Sequence, residues 1–282
     1  MTSQKNESVK NIIKKRIGIL IPLLISGMML WMHFHYEADM PDGSLILGVP
    51  DDAGGLVVDY LINEKNFPVK QEDVYGIHTL RDCCSSTAEW ALSGNRMHMA
   101  IVCPDAAQRL IEKDPRYQIV GPVLANSDML VKHPSKSVKK IGITQNRWYQ
   151  KEIIEKQFGE EVEVAAMLPA ALPYAYEMGE VQGIVVDITQ GIYLPGEHLP
   201  GYKKSERITY VLIARDGIME TQEAQFFLEL WQEAMDELKD METLQTAIDH
   251  YMKKEKTGKE TTGKEAEQWM NLGMKLMNPM EK

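Results

Sequence analysis

Cys83 and Cys84 are adjacent and stand just before a helix start, in the run Asp82-Cys83-Cys84-Ser85-Ser86-Thr87-Ala88-Glu89. Ser86 followed three residues later by Glu89 forms a capping box, so both cysteines occupy positions just outside the first helical turn. The amide groups and the positive end of the helix dipole favour thiolate over thiol there. A disulfide between neighbours is poor geometry, because adjacent Cα atoms sit ~3.8 Å apart and relaxed disulfides prefer roughly 5.5 Å. The pair therefore reads as a soft-ligand site or a labile redox pair rather than a structural staple. Cys103 is the third cysteine of the chain; it ends an apolar run and precedes Pro104. Three cysteines make no disulfide framework, and an odd count leaves at least one thiol outside any pairing.

The elements that must position these residues alternate regularly. Leu45 to Val49 reads as a strand, and Leu56 to Glu64 as the helix behind Asp51-Asp52-Ala53-Gly54-Gly55. Val74 to Thr79 reads as a second strand, followed by the cysteine turn and a helix from Thr87 to Ser93 ended by Gly94. Met97 to Val102 is a third strand, which the Cys103-Pro104 step closes, since the residue before proline is extended and proline suits the first helical position. A second set follows: strands at Met129 to Lys132 and Lys140 to Ile143, a helix at Trp148 to Phe158, a strand at Val162 to Met167, a helix at Ala170 to Met178 and a strand at Gly183 to Val186. Ile208 to Ala214 is another strand, Thr221 to Met252 carries helical periodicity, and Ala266 to Leu276 reads as a last helix. Strands alternating with helices imply an α/β fold with mostly parallel sheet. The later unit repeats the helix, glycine cap, strand order of the earlier one, which implies two lobes. Residues 44–126 and 205–282 are assigned to lobe 1 and residues 127–204 to lobe 2.

In open α/β sheets, ligands sit beyond the carboxyl ends of the strands, where helix N-termini also point. Those positions are Asp51, Asp52, Gly54, Gly55, Cys83, Cys84, Ser85, Ser86, Cys103 and Asp105 in the first lobe. In the second they are Thr144, Gln145, Asn146, Arg147, Trp148, Leu168, Pro169, Asp187 and Thr189. The ligand-binding set expected from them is Asp52, Cys83, Cys84, Ser85, Ser86, Cys103, Asp105, Asn146 and Asp187, with Cys83, Cys84 and Cys103 as metal ligands. Simpler readings stand beside these. Cys103 also suits a small apolar residue ending a buried strand, and Asp51-Asp52 suits a helix cap. His98 alternates with Met97 and Met99, which turns it toward solvent or an interface. Gly54-Gly55 lacks the Gly-Lys-Ser/Thr of a phosphate loop, and no Ser-His-Asp or zinc-hydrolase signature is present.

Composition narrows the partners. The net charge is -10, from 41 acidic and 31 basic residues, and no basic face with interleaved aromatics occurs beyond the extreme N-terminus, so nucleic acid is excluded as a partner. Lys10, Lys14, Lys15 and Arg16 precede Ile17 to Phe34, an apolar run whose helix would measure ~27 Å. The flank His33-Phe34-His35-Tyr36-Glu37-Ala38 offers no small-x-small cleavage site. Residues 1–16 are read as a cytoplasmic basic tail and residues 17–36 as an uncleaved transmembrane anchor, which sends the remainder to the extracytoplasmic side of the cell membrane.

The order of these marks resembles the solute-binding proteins of ABC importers with the two-lobed periplasmic binding protein type II fold, in the sulfonate, nitrate and thiamine-precursor branch. The resemblance covers about residues 45 to 215. It rests on Ala91 to Val102, its echo Met178 to Asp187, and the crossing Leu130-Val131-Lys132 to Ser137-Val138-Lys139-Lys140-Ile141-Gly142-Ile143. Asp82-Cys83-Cys84-Ser85-Ser86-Thr87 further resembles the motif of SaoB-type binding proteins, where one position of the vicinal pair can be selenocysteine; this chain has cysteine at both. The resemblance implies a non-enzymatic receptor with no resident cofactor, working with ABC permease and ATPase subunits and capturing a soft metal or organometal of the mercury type. Soft thiolates select such cargo over magnesium or calcium. The alternatives are a small organic or oxyanion solute held by helix-start amides, Ser85, Ser86, Arg147 and Asp187, or a thiol-dependent redox or lyase enzyme on the same fold.

Overall fold

The computed structural model describes residues 45–68, 76–81, 97–134, 137–202, 206–255 and 261–281, together with Ile21 and Ser26. The anchor expected over 17–36, apart from those two positions, lies outside the described residues, as do Cys83, Cys84, Ser85, Ser86 and the helix expected behind them. Among the described residues no helix is long and apolar enough to cross a membrane. The chain divides into two compact units, Met1–Asp42 and Gly43–Lys282, and the second carries everything that follows.

Two sheets organise that unit. The first contains β1 (Leu47–Pro50), β2 (Ile77–Leu80), β3 (Met99–Val102), β4 (Tyr117–Ala125), β10 (Ile208–Arg215) and β11 (Lys275–Leu276), in the order β11-β4-β10-β3-β1-β2. The second contains β5 (Asp128–Lys132), β6 (Lys140–Thr144), β7 (Glu163–Met167), β8 (Gly183–Asp187) and β9 (Glu197–Pro200), in the order β7-β6-β8-β5-β9. The helices are α1 (Leu56–Asn63), α2 (Pro104–Lys113), α3 (Tyr149–Phe158), α4 (Ala171–Glu177), α5 (Ile188–Gly191), α6 (Gln222–Glu237), α7 (Met241–Glu255) and α8 (Glu265–Asn271).

The expectation of mostly parallel sheet is only half met. β2, β1 and β3 run parallel, as do β7, β6 and β8, but β10 is antiparallel to β3 and β4, and β5 is antiparallel to β8 and β9. The cause is the route of the chain. Strands followed by helices end at the cleft between the sheets, whereas β5 and β10 enter their sheets from that cleft and run away from it. Asp128, the first residue of β5, accordingly pairs with Asp187, the last of β8.

The two passages between sheets are tied together. Asn126, at φ 57° in the left-handed region that asparagine tolerates, donates its backbone N–H to the Arg207 carbonyl and accepts the Arg207 N–H on its side chain, each at 2.9 Å. Ser127 Oγ donates to Thr209 Oγ1 at 2.9 Å, and Thr209 Oγ1 donates to the Leu124 carbonyl at 3.2 Å.

Local chemistry sets the element ends. Cys103 takes an extended cap conformation and Pro104 opens α2, as the sequence requires. The helical stretch expected as one piece over Thr221 to Met252 breaks after Leu238, because Asp240 accepts the Thr243 N–H and hydroxyl, both at 2.9 Å, and so starts α7 anew. The last helix stops at Asn271 rather than Leu276. Gly273 turns the chain at φ 88°, and Lys275 and Leu276 pair instead with Ala125 and Leu124 of β4. β4 itself escapes sequence reading because Gly121 and Pro122 interrupt its apolar pattern. Gly121 faces the Pro279 carbonyl, which a Cβ would approach to 2.0 Å, and the β4–β10 register shifts nearby.

Apolar faces meet behind each sheet. Leu56, Leu61, Met99, Ile101, Phe227 and Trp231 are buried in the first layer, where the Phe227 and Trp231 rings lie 5.6 Å apart. Leu130, Ile141, Ile143, Ile153, Ile154 and Val185 form the second core. His98 is also buried, contrary to the outward placement that strand alternation suggested. Its Nδ1 accepts the Ile46 N–H at 3.0 Å, which satisfies that donor just before β1. Burial, with a smaller contribution from the Arg215 charge, lowers its pKa to about 4.

A neutral His98 in the fold and an ordinary histidine in the unfolded chain make stability fall as pH drops from about 6.5 toward 4, by about 3 kcal/mol. Denaturant melts across that range check this, and His98→Asn, which keeps an acceptor for Ile46, should lessen the fall.

Candidate functional site

The parallel strands of the first sheet end side by side, with Pro50 of β1 level with Leu80 of β2. Asp51 and Asp52 follow β1. Asp52 caps the short 3-10 turn Ala53–Gly55 by accepting the Gly54 N–H at 3.2 Å, while its backbone carbonyl accepts the Tyr251 hydroxyl at 2.7 Å. The paired glycines answer to packing rather than phosphate. A Cβ on Gly55 would lie 2.4 Å from the Pro50 carbonyl oxygen and 2.6 Å from the Tyr251 hydroxyl.

From the second sheet, β6 ends at Thr144 and a turn through Asn146, at φ 63°, delivers Arg147 to the cleft. Arg147 is 4% exposed. Its Nη1 donates to Asp128 Oδ1 and its Nη2 to Asp52 Oδ2, both at 3.3 Å, so one guanidinium joins carboxylates from the two sheets. Tyr210 of β10 completes the cluster. Its hydroxyl accepts from Arg147 Nη2 and donates to Asp52 Oδ2, and the guanidinium carbon lies 5.2 Å from its ring centroid. Gln150 on α3 donates to Asp128 Oδ1 at 3.0 Å and accepts the Thr144 N–H at 2.8 Å, which locks the turn beneath Arg147. Burial raises the Asp128 carboxyl above the ordinary range despite the neighbouring guanidinium. Desolvation is thus the larger effect, and the group fixes geometry more than it adds net stability.

Asp187 closes β8 and caps α5. Its Oδ1 takes three donors: the Ala53 N–H at 3.1 Å from the first sheet's turn, the Thr189 N–H at 3.0 Å and the Thr189 hydroxyl at 2.6 Å. Its Oδ2 is buried and has no hydrogen-bond partner among the described residues. Burial first, then the negative charge of Asp52, raises its pKa. A cavity of about 40 Å³ lies between these groups. Asp51, Asp52, Thr144, Arg147, Asp187 and Gln190 form its polar wall, and Pro169, Leu172 and Val186 its apolar one.

The structure therefore brings Asp52 and Asp187 to one cavity and leaves other expected residues off its wall. Cys103 is fully buried at the start of α2, where its carbonyl accepts the Ala107 N–H at 3.0 Å. Asp105 accepts the Trp148 backbone N–H, which ties α2 to the start of α3, and burial raises its carboxyl. Asn146 serves the turn, its carbonyl accepting from Arg109 Nη1 at 3.5 Å. Trp148 and Leu168 are exposed. Among the described residues, no group of three or more His, Cys, Asp or Glu side chains could hold a metal ion. Sequence reasoning missed Asp128, Gln150 and Tyr210 as site residues. An acid heading the apolar strand Asp128-Met129-Leu130-Val131 was a readable signal for the first; nothing local marks the other two.

Replacing Arg147 with methionine leaves Asp52 and Asp128 facing each other without a counter-charge and should lower stability by about 3 kcal/mol. Asp128→Asn, which keeps an acceptor, should cost less. Urea melts of the two variants check the order.

No protein-family model matches the chain, and no curated protein matches it. Solved structures do. A zinc-bound ligand-binding component of an ABC-type import system from Staphylococcus aureus aligns with a TM-score of 0.59 at 14% identity, over 79% of this chain and 82% of that one. An ABC transporter structure from Parabacteroides distasonis aligns with a TM-score of 0.62 at 10% identity, over 80% and 84%. The alkanesulfonate-binding protein SsuA from Xanthomonas axonopodis pv. citri, bound to MOPS, aligns with a TM-score of 0.60 at 11% identity, over 83% and 85%. At such identities the likeness speaks for architecture, and the chain has the two-sheet α/β fold of ABC-type import solute-binding proteins.

Proposed function

We propose that this chain is the extracytoplasmic solute-binding component of an ABC importer and not an enzyme, that it is held at the cell membrane by residues 17–36, and that it hands its cargo to permease and ATPase subunits. The cargo in this reading is a soft metal or organometal cation, taken up by Cys83 and Cys84. The observation that carries the cationic class is the charge inventory of the cleft. Asp51, Asp52 and Asp187 face the cavity, and its guanidinium, Arg147, is already held by Asp52 and Asp128. A sulfonate or other oxyanion would meet three acidic side chains and an engaged arginine, so the oxyanion alternative fits the cleft poorly. The soft-cation class draws on the vicinal thiols, which come three residues after β2 in the sequence; β2 itself ends level with Pro50. Closure of the two sheets around the cargo, with release of water, suits capture and delivery without turnover.

Titration of the reduced full-length chain with methylmercury and with inorganic mercury, followed by sulfur-to-metal absorbance, tests this reading. One equivalent should bind more tightly than to a small control dithiol. The Cys83→Ser/Cys84→Ser variant should lose that binding while keeping its melting temperature, and ethanesulfonate should not compete. Uptake no stronger than that of the control dithiol would sink the soft-cation reading.

A further inference from the structure

Helix α5 is clamped to the first sheet's layer at both ends. At its start Asp187 Oδ1 accepts the Ala53 N–H at 3.1 Å from the turn after β1, and just past its end the Tyr193 hydroxyl donates to Glu265 Oε1 of α8 at 3.3 Å. The two anchoring carboxyls differ in supply. Burial alone would raise Glu265, but donors from Thr262, Gln245 and Lys264 outweigh it and hold that carboxyl below the ordinary range. Asp187 is 7% exposed, and only its Oδ1 is supplied, by Ala53 and Thr189; Oδ2 is buried with no hydrogen-bond partner among the described residues. The charged and titratable groups around it are Asp51 and Asp52 from the turn after β1, Asp128 in register with it at the head of β5, Arg147 from the turn before α3 and Tyr210 from β10. The guanidinium among them is divided between Asp52 and Asp128. An ionised carboxylate closed into that place is costly, whereas a parted cleft would give it water. We propose that Asp187 makes closure of the cleft a proton-linked switch: its carboxyl carries a proton while the two sheets are closed and gives it up when they part. This rests on the receptor reading for the swing of one sheet against the other, and on no property of the cargo. On opening, the O–H bond of Asp187 breaks, water takes the proton, and the carboxylate left behind is hydrated. Burial first, then the negative charge of Asp52, pushes the closed-state carboxyl up to about 7, while an exposed aspartate titrates near ~4. Between those values the closed form holds a proton that the open form lacks. The closed-to-open ratio therefore falls by up to about tenfold per pH unit as pH rises, and levels off above the closed-state value. Mildly acidic surroundings shut the receptor, and neutral ones leave it open to receive.

Arg81 and Leu168 are exposed and follow the carboxyl ends of β2 and β7. Dyes attached there through noncanonical residues read the separation of the sheets by energy transfer in the full-length chain, with no cargo added, from pH 5 to 8. In wild type the closed-to-open ratio should fall at least tenfold between pH 5 and pH 7. Asp187→Asn keeps an acceptor for Ala53 and Thr189 and cannot ionise, so it should stay closed with a ratio that changes less than twofold. Tyr193→Phe removes the other clamp and leaves Asp187 intact; it should be more open at every pH with the wild-type slope. The assigned Asp187 carboxyl resonance of a carbon-13-labelled wild-type chain gives a reading that needs no substitution, and it should titrate in step with the energy transfer. The same fall with pH in Asp187→Asn as in wild type, a wild-type separation indifferent to pH, or an Asp187 resonance titrating in the ordinary carboxyl range would each overturn the switch. None of those outcomes touches the receptor reading, which the mercury titration decides.

Discussion

One guanidinium holds the two halves of this molecule in register. Arg147 reaches from the second sheet to Asp52 on the first and to Asp128 beneath its own turn, with the Tyr210 hydroxyl bridging it to Asp52. Such a buried group is expensive to desolvate, and the upward displacement of the Asp128 carboxyl shows that burial outweighs the attraction there. What the arrangement supplies is placement. With Arg147 fixed, Asp52 is fixed, and with it the turn whose Ala53 N–H finds Asp187 across the cleft. The double glycine lets that turn pack closely, Gly54 against Pro50 and Tyr210 and Gly55 against Pro50 and Tyr251.

Much of this was legible from residue order. Alternating apolar runs and helix patterns located the strands whose ends carry Asp52, Arg147 and Asp187, because the carboxyl end of a strand before a helix is where such sheets bind. The missing parts depended on long-range pairing. Tyr210 enters the site because β10 returns from the other sheet and inserts between β3 and β4, and no local pattern encodes that neighbour. The antiparallel halves of both sheets follow from the same crossings. β4 was hidden by a glycine and a proline that only make sense beside Pro279 and a shifted register. His98 misled for a related reason, since alternation tells which face a side chain takes and not whether that face is covered.

For the receptor we propose, the charge of the cleft bears on cargo more directly than the fold does. The solved structures that share this architecture are named for ligands as different as zinc and an alkanesulfonate, so the scaffold alone does not select. Selection lies in which groups the strand ends present. Here they present acids beside one engaged arginine, which orders the possible solutes by charge before any question of thiols arises.

The pairing of the two crossings has a mechanical meaning. Asn126 is bonded to Arg207 in both directions, and Ser127 to Thr209, so the connection between the sheets is a narrow ribbon and not a pair of separate tethers. Separate tethers would let the sheets slip past one another as well as swing apart. A ribbon bends and twists but resists slipping along its length. In the closure we propose it would act as an alignment guide, returning the turn after β1 to the same position opposite the end of β8, which a site built on single hydrogen bonds across a gap requires.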